Sequence, residues 1–134
     1  MQFEICGLTP VQFERPRWNS KSRTVFNTSK YSDFKSVLRQ RAEAYRPAYI
    51  LDVAVKLTVE FFLIPPTKRP RQYPTTRPDL DNYIKAVMDA LSPCKKEHYV
   101  GFWLDDSYVV DLHASKRYAI DEQPKIIVTI ETLD

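Results

Sequence analysis

The clearest alternation of apolar and polar residues lies at positions 52–63, where every second side chain is apolar. A period of two is typical of a β-strand with one buried face. Weaker alternation predicts further strands near 1–6, 108–118 and 125–133. An apolar run at 101–104 predicts a short additional strand that ends at a pair of aspartates.

Two segments carry apolar residues at helical spacing instead. The first begins after Thr28 or Ser29, either of which can cap a helix, and continues to about Tyr45. The second covers 80–91, whose apolar side chains fall within one arc of the helical wheel. The order strand, helix, strand, helix and then two or three strands predicts one α+β domain over residues 1–134. Two main helices would pack against a mixed β-sheet.

Two stretches show neither period. Residues 14–30 are rich in Arg, Lys, Ser and Asn, which predicts a long basic loop. Residues 64–78 contain five prolines, which exclude a helix and a central strand, so an extended loop is predicted there as well. This second basic loop leads directly into the helix predicted at 80–91.

The net charge of +3 conceals a segregation of charge along the chain. Residues 15–77 hold fourteen Lys or Arg and four acidic residues, whereas residues 79–134 hold six basic and eleven acidic residues. The basic part can face a polyanion, and the acidic part can hold a divalent cation. Two solvated surfaces of opposite sign would give the same pattern.

Composition narrows the class of protein further. The chain has no run of about 18 apolar residues and no basic N-terminal region followed by an apolar one, so neither a membrane span nor a signal peptide is indicated. A cytoplasmic protein is expected. Cys6 and Cys94 match no zinc-binding spacing and are expected to be ordinary thiols.

The stretch RPDLDNYIKAVMDALS, residues 77–92, places two carboxylates where the second helix begins. Asp79 is a good N-cap candidate, and Asp81 in the first turn would favour the positive end of the helix dipole. Helix capping could therefore explain both acids without a catalytic function. Lys85 follows Asp81 by one turn on the same helix edge, where it can contact a phosphate, hold the carboxylates in place, or form an ion pair with Asp81.

A second acidic pair, Asp105 and Asp106, follows the apolar run GFWL. A turn would explain one such residue, because aspartate is favoured in turns, but not two beside a buried tryptophan. If the helix and this segment pack together, Asp79, Asp81 and Asp106 can converge. Carboxylates that close would repel one another unless a cation lay between them, and oxygen ligands suit Mg²⁺ or Mn²⁺.

RPDLDNYIKAVMDALS followed by GFWLDDSYVVD resembles the RusA family of Holliday junction resolvases. In that family a DLDN helix start, a lysine on the helix and a DD pair after an aromatic strand form the active site. The resemblance covers residues 77 to about 116, and a short strand, a basic RPR loop and a helix near the N-terminus are also similar. The connector 92–100 is longer than the family's usual link.

The resemblance implies a role for each matching residue. Asp79, Asp81 and Asp106 would be metal-binding catalytic acids. Asp105 would be an auxiliary metal ligand, and Lys85 would be a catalytic or phosphate-contacting base.

The function implied is that of a Mg²⁺-dependent, structure-selective endodeoxyribonuclease in DNA recombination and repair, with Mn²⁺ as a possible substitute and no small-molecule cofactor. It would resolve four-way junctions by symmetric hydrolysis, as a homodimer, because two equivalent sites match the twofold symmetry of the junction. A phage or prophage origin is suggested by the resemblance. The residues also allow a nuclease for other branched or flap DNA, or a non-catalytic nucleic-acid binding domain.

DNA backbone contacts are expected from the cationic side chains of the two basic loops. Trp18 and Phe26 in the first loop could stack on an unpaired base or could anchor the loop. The expected DNA-binding residues are Arg15, Arg17, Lys21, Arg23, Lys68, Arg69, Arg71 and Arg77.

Overall fold

The computed structural model describes residues 1–26, 28–68 and 71–133. One short 3-10 helix follows the first α-helix, at Glu43–Tyr45, and another begins at the second residue of the aspartate pair, at Asp106–Tyr108. The strands and α-helices are, in chain order, β1 (Gln2–Cys6), β2 (Arg17–Asn19), β3 (Thr24–Phe26), α1 (Ser29–Ala42), β4 (Ala54–Leu63), α2 (Leu80–Leu91), β5 (Val109–Tyr118) and β6 (Lys125–Leu133).

Four of the strands form the main sheet, in the order β1-β6-β4-β5. β6 is antiparallel to both β1 and β4, whereas β4 is parallel to β5, and α2 lies in the connection between these two strands. Val59 on β4 lies opposite Val128 on β6, which lies opposite Phe3 on β1, and all three side chains are buried. The predicted α+β class and the mixed sheet are confirmed.

Two local predictions are wrong. Within the predicted loop at 14–30, β2 and β3 pair as an antiparallel hairpin that forms a small second sheet. Residues 101–104 do not form a strand, because only Trp103 makes an isolated bridge, to Leu51. Phe102 and Trp103 are fully buried, so the apolar run reflects burial in the core rather than a strand.

The two helices bury their apolar sides in the same core as the sheet. α1 is fixed to α2 by Arg39, which is buried although it carries a charge. Its guanidinium donates to the carbonyl oxygens of Ala90 at 2.8 Å and Asp89 at 3.1 Å, and it forms an ion pair with Glu97. Cations are favoured at the last turn of a helix, where carbonyls lack helical partners. Arg39 therefore fixes the end of α2 that lies closest to the aspartate pair in sequence.

The long connector at 92–100 folds as a small closed loop. Cys94 and Tyr99 exchange two backbone hydrogen bonds of 2.9 Å, which close the loop on itself. The amide of Phe102 then donates to the carbonyl of Leu91 at 2.9 Å. The connector 92–100 therefore begins and ends beside the last turn of α2. Its length does not separate the helix from the segment that carries the aspartate pair.

The return of the chain to α2 depends on Gly101. This residue has a φ of +86°, a left-handed conformation that glycine adopts readily. A Cβ at this position would lie 2.6 Å from the backbone nitrogen of Pro93, which is closer than van der Waals contact allows. Any side chain at 101 would displace either the loop or the aspartate segment.

Two predictions from composition can also be compared with the structure. Both cysteines are free thiols, as expected. In the three described stretches, neither α-helix is long and apolar enough to cross a membrane.

Candidate active site

The N-terminus of α2 presents the first two carboxylates of the predicted site. Asp79 occupies the N-cap position, where its backbone carbonyl accepts hydrogen bonds from the amides of Asn82 (3.1 Å) and Tyr83 (3.3 Å). Its carboxylate makes no capping hydrogen bond, and the side chains of Asp79 and Asp81 are both exposed. Capping by a side chain therefore does not account for these acids, and both carboxylates remain accessible to a ligand.

The segment before α2 is fixed by Lys116, which lies on β5. Its ammonium donates to the backbone carbonyl oxygens of Thr76 and Pro78, each at 3.0 Å. Both carbonyls lie within three residues of Asp79. Lys116 therefore fixes the entry to α2 against the edge strand of the sheet, and with it the position of the first carboxylate.

Three charged residues follow one another along a single edge of α2. Asp81, Lys85 and Asp89 are spaced by four residues, which places them on the same side of the helix. The ammonium of Lys85 lies 4.7 Å from the centroid of the Phe13 ring, a cation–π contact. Among the described ion pairs, Lys85 takes part in none, so the alternative role as a partner of Asp81 is not realised.

The edge of α2 is bordered by the segment that precedes the β2–β3 hairpin. The amide of Phe13 donates to the backbone carbonyl of Asn82 at 2.9 Å, and the Phe13 ring meets the Tyr31 ring edge-on at 5.6 Å. The Tyr31 hydroxyl then donates to the Asp89 carboxylate at 2.6 Å. Burial, and secondly this hydrogen bond, raise the pKa of Tyr31 well above its ordinary value. Tyr31 therefore remains a neutral donor and fixes the Asp89 carboxylate.

Asp106 is connected to the C-terminal end of α2 through one hydroxyl group. The Ser92 hydroxyl contacts the Asp106 carboxylate and the backbone carbonyl of Met88 at 2.7 Å. The indole N–H of Trp103 donates to the same hydroxyl at 2.9 Å. Because Trp103 is fully buried, this network attaches Asp106 to the core. After burial and the contact with Asp89, the Asp106 charge also contributes to raising the pKa of Tyr31.

Asp105 has a different local role. Its carboxylate accepts a hydrogen bond from the backbone amide of Ser107 at 3.0 Å and so caps the short 3-10 helix that begins at Asp106. Hydrogen bonding from the Ser107 side chain, and then from its amide, lowers the pKa of Asp105. This is the turn role that the sequence also allowed, and the assignment of Asp105 as an auxiliary metal ligand stays a prediction.

The carboxylates thus occupy the start of α2, one edge of that helix and the segment held at its end. Within residues 1–26, 28–68 and 71–133 no three His, Cys, Asp or Glu side chains are grouped closely enough to hold a metal ion. The candidate ligands nevertheless fit Mg²⁺, since they are carboxylate oxygens. Within the described residues, the carboxylates of Asp79 and Asp81 make no hydrogen bond or ion pair that a metal ion would have to replace. The convergence of Asp79, Asp81 and Asp106 stays a prediction.

The expected DNA-binding residues that the structure describes are all exposed, as phosphate contacts require. They comprise Arg15, Arg17, Lys21, Arg23, Lys68, Arg71 and Arg77. Arg69 lies outside the described residues. Trp18 and Phe26 are exposed as well, so anchoring of the predicted loop in the core does not explain them.

Three residues that complete this arrangement were not predicted as site residues: Tyr31, Asp89 and Ser92. Asp89 could have been found from its helical spacing to Lys85. Ser92 is the last residue of the block RPDLDNYIKAVMDALS, and this position was the only indication of its role in the sequence. Tyr31 lies 58 residues before Asp89 in the sequence, and no local pattern connects the two.

Comparison with known proteins agrees with the motif blocks. The family model described as Endodeoxyribonuclease RusA matches residues 8–131. The chain is 33% identical to the uncharacterized protein YqaN of Bacillus subtilis (strain 168), over 97% of this chain and 94% of that protein. It is 28% identical to the crossover junction endodeoxyribonuclease rusA of Lactococcus phage r1t, over 96% of this chain and 94% of the phage protein. The predicted resemblance is confirmed, and the chain belongs to the RusA family of endodeoxyribonucleases.

Proposed function

We propose that this endodeoxyribonuclease resolves Holliday junctions in DNA recombination and repair, that it depends on Mg²⁺ or Mn²⁺, and that it acts in the cytoplasm as a homodimer. The observation that carries the proposal is the pair of accessible carboxylates, Asp79 and Asp81, at the start of α2. The printed name of the phage relative, a crossover junction endodeoxyribonuclease, supports a four-way junction as the substrate.

The ligands of the ion would be Asp79, Asp81 and Asp106, with Asp105 as an auxiliary. A bound divalent cation would supply a water molecule of lowered pKa and would neutralise charge on the scissile phosphate. Asp79 and Asp81 lie at the end of α2 where the partial positive charge of the helix dipole favours anions. The same end of the helix also favours a bound phosphate.

Lys85 would contact the phosphate undergoing cleavage. It lies one turn beyond Asp81 on the exposed edge of α2, and the Phe13 ring beneath its ammonium limits the positions that the side chain can take. A cation fixed there can stabilise the negative charge that develops on the phosphate during hydrolysis. Tyr31 and Asp89 would hold the next turn of the same edge in place.

The exposed cations of the basic segments would bind the arms of the junction through their phosphates. Such contacts release counterions from the DNA and read no sequence, so the affinity should fall steeply with salt concentration for every DNA shape. Symmetric cleavage of two strands would require two equivalent sites, which a C2 dimer provides.

The test combines site variants with a panel of DNA shapes. Asp81→Asn and Asp106→Asn should each lower cleavage of a four-way junction by at least about a hundredfold, since each removes a charge proposed to hold the ion. Binding to the junction in the presence of a chelator should remain. Asp33→Asn is the matched control, because Asp33 is an exposed aspartate of α1. The Asp33→Asn enzyme should cut the junction at the parental rate.

The parent protein should cut a mobile four-way junction faster than a flap or a continuous duplex of the same sequence. Preferential cleavage of the flap would replace the proposed substrate with another branched DNA and leave the nuclease assignment intact. Parental activity in both the Asp81 and the Asp106 variants would contradict the assignment of the catalytic site.

A further inference from the structure

The β2–β3 hairpin exposes apolar side chains that the fold does not use. All six residues of the two strands are exposed. Trp18 and Val25 lie directly opposite each other and therefore point to the same face of the hairpin. Their side chains are 61% and 65% exposed, whereas Trp103 is fully buried. An exposed Trp–Val pair on a small hairpin is a ready contact surface for a flat apolar ligand.

The hairpin is held together by its own polar contacts. The Asn19 side-chain oxygen accepts hydrogen bonds from the amides of Lys21 at 2.9 Å and Ser22 at 3.2 Å, which closes the turn. The hydroxyl groups of Ser22 and Thr24 lie 2.6 Å apart. These contacts order the tip without burying Trp18. The ring can therefore be presented to a partner at little additional cost in conformational entropy.

The base of the hairpin is attached beside the proposed active site. The Thr28 hydroxyl donates to the Glu14 carboxylate at 2.6 Å, which joins the two ends of the segment. Phe13, the residue before Glu14, makes a backbone hydrogen bond to α2 and underlies Lys85. Trp18 follows Glu14 by four residues, so at about 3.3 Å per residue it lies within about 13 Å of this anchor. DNA bound at α2 is within reach of the hairpin.

The charge of the hairpin indicates which partner it fits. The segment from Arg15 to Ser32 contains no acidic residue, and four cations, Arg15, Arg17, Lys21 and Arg23, lie on or beside the two strands. An aromatic side chain surrounded by cations matches a nucleic acid in which a base is accessible and phosphates flank it. In a continuous duplex the faces of the bases are covered by their neighbours, whereas at a branch point the stack is interrupted.

We propose that Trp18, supported by Val25, stacks on a base exposed at the branch point and so gives the enzyme its preference for branched over continuous DNA. The proposal rests on the proposed function, since it assumes a branched substrate at α2. The flanking cations would contribute affinity without shape preference, and the aromatic ring would contribute the preference.

The first test is intrinsic fluorescence, which reports on Trp18 because Trp103 is buried. DNA should be titrated into the full-length protein in the presence of a chelator, so that no strand is cut. A four-way junction should quench the emission more strongly than a duplex of the same sequence and length. Trp18→Phe should abolish the difference in quenching while retaining most of the affinity for the junction, because phenylalanine can still stack.

The second test separates shape preference from charge. Trp18→Ala should weaken junction binding roughly 5- to 150-fold, the range for loss of one base-stacking contact. Duplex binding and the salt dependence of both should not change. Lys21→Ala should instead weaken junction and duplex equally and reduce the salt slope by about one. Tyr49→Ala is the control, since Tyr49 is an aromatic residue with 87% exposure outside the hairpin and should behave as the parent does.

Equal loss of junction and duplex binding in Trp18→Ala, or no loss of either, would overturn the proposal. So would loss of self-association in this variant without a change in DNA preference, which would make the hairpin a contact between two copies of the chain. These measurements need no cleavage. Failure of the proposed nuclease function would appear separately, in the activity of the aspartate variants.

Discussion

Replacing Ser92 with alanine should damage both the fold and the site, because one hydroxyl connects them. Its oxygen lies 2.7 Å from the Met88 carbonyl, 2.9 Å from the Trp103 indole nitrogen and in contact with the Asp106 carboxylate. A hydroxyl has one proton and two lone pairs, so it accepts from the indole and donates to either of the two oxygens. Ser92→Ala removes all three contacts at once.

The structural part of the loss can be estimated from the buried indole. Trp103 is fully buried, and Ser92 is the acceptor that its N–H uses. An unsatisfied buried donor costs about 1–3 kcal/mol, and we take about 2 kcal/mol. For 134 residues the entropy of unfolding is about 0.28 kcal/mol/K, at about 2.1 cal/mol/K per residue. The melting temperature should therefore fall by about 7 °C.

In the proposed active site, the catalytic part of the loss arises from Asp106, because its carboxylate loses the contact with the Ser92 hydroxyl. Loss of such a supporting contact typically lowers metal affinity or activity about 10- to 100-fold, so the proposed Mg²⁺ dependence of cleavage should shift to higher concentrations. Thermal unfolding by circular dichroism and single-turnover cleavage over a Mg²⁺ titration measure the two parts. Ser92→Thr keeps a hydroxyl and should recover most of both.

The exposed Ser36 on α1 provides the matched control. Ser36→Ala also removes a serine hydroxyl, and it should leave both the melting temperature and the Mg²⁺ titration unchanged. If Ser92→Ala melts and cuts as the parent does, the hydroxyl neither satisfies the indole nor orients Asp106, and the connection between core and site described above is refuted. A drop in melting temperature without a shift in the Mg²⁺ titration would confine Ser92 to a structural role.

Three further predictions concern the surroundings of the site. Tyr31→Phe should lower the free energy of unfolding by about 1–3 kcal/mol at pH 8, since the Asp89 carboxylate loses its donor. The pKa of Tyr31 in the folded parent is raised above its ordinary value of about 10, so above pH 10 only the unfolded parent loses the Tyr31 proton. In urea melts above pH 10, the difference in free energy of unfolding between the parent and Tyr31→Phe should therefore shrink. A difference that stays constant with pH would contradict this. Gly101→Ala should destabilise the protein by more than about 2 kcal/mol, because residue 101 has a left-handed φ and its new Cβ would clash with the backbone nitrogen of Pro93. Gly7→Ala should cost less, because a Cβ at residue 7 meets only the flexible Gln123 side chain. Equal losses in thermal melts would refute the clash at Pro93. Lys116→Met should slow cleavage while the melting temperature changes little, since the exposed entry to α2 loses its anchor; parental cleavage would show that the anchor is dispensable.

The strands and helices that bury one face were predictable from the sequence, because apolar residues recur along them at the spacing of a strand or of a helix. Val55, Leu57 and Val59 alternate with polar residues on β4, and all three are fully buried. The hairpin had no such signal, since its strands have three residues each and bury nothing. Its stability comes from turn hydrogen bonds to Asn19 instead. The β-forming residues Trp18 and Val25 on either side of a polar turn were the available indication.

The candidate site was only partly predictable, for a related reason. A motif block identifies acids and a lysine because their chemistry restricts the residue type at fixed spacing. Supporting groups can come from anywhere in the chain that the fold brings near. The contacts of Tyr31 with Asp89 and of Arg39 with Ala90 join residues 58 and 51 positions apart. Such pairs depend on how α1 packs against α2, which no single segment specifies.

This division between motif and support predicts two kinds of damage to the site. Asp81 and Lys85 are exposed, while Ile84, Val87 and Leu91 bury the opposite face of α2. Substituting either charged residue changes the electrostatics of the edge and leaves the packing of the helix intact, so activity should fall without loss of stability. The supporting residues Tyr31, Arg39 and Ser92 are buried or bonded to buried groups, and their replacement should lower both. Lys116 holds the exposed entry to α2 instead, and its replacement should lower activity alone. The ratio of the two losses therefore distinguishes the buried supports of α2 from the side chains on its exposed surface.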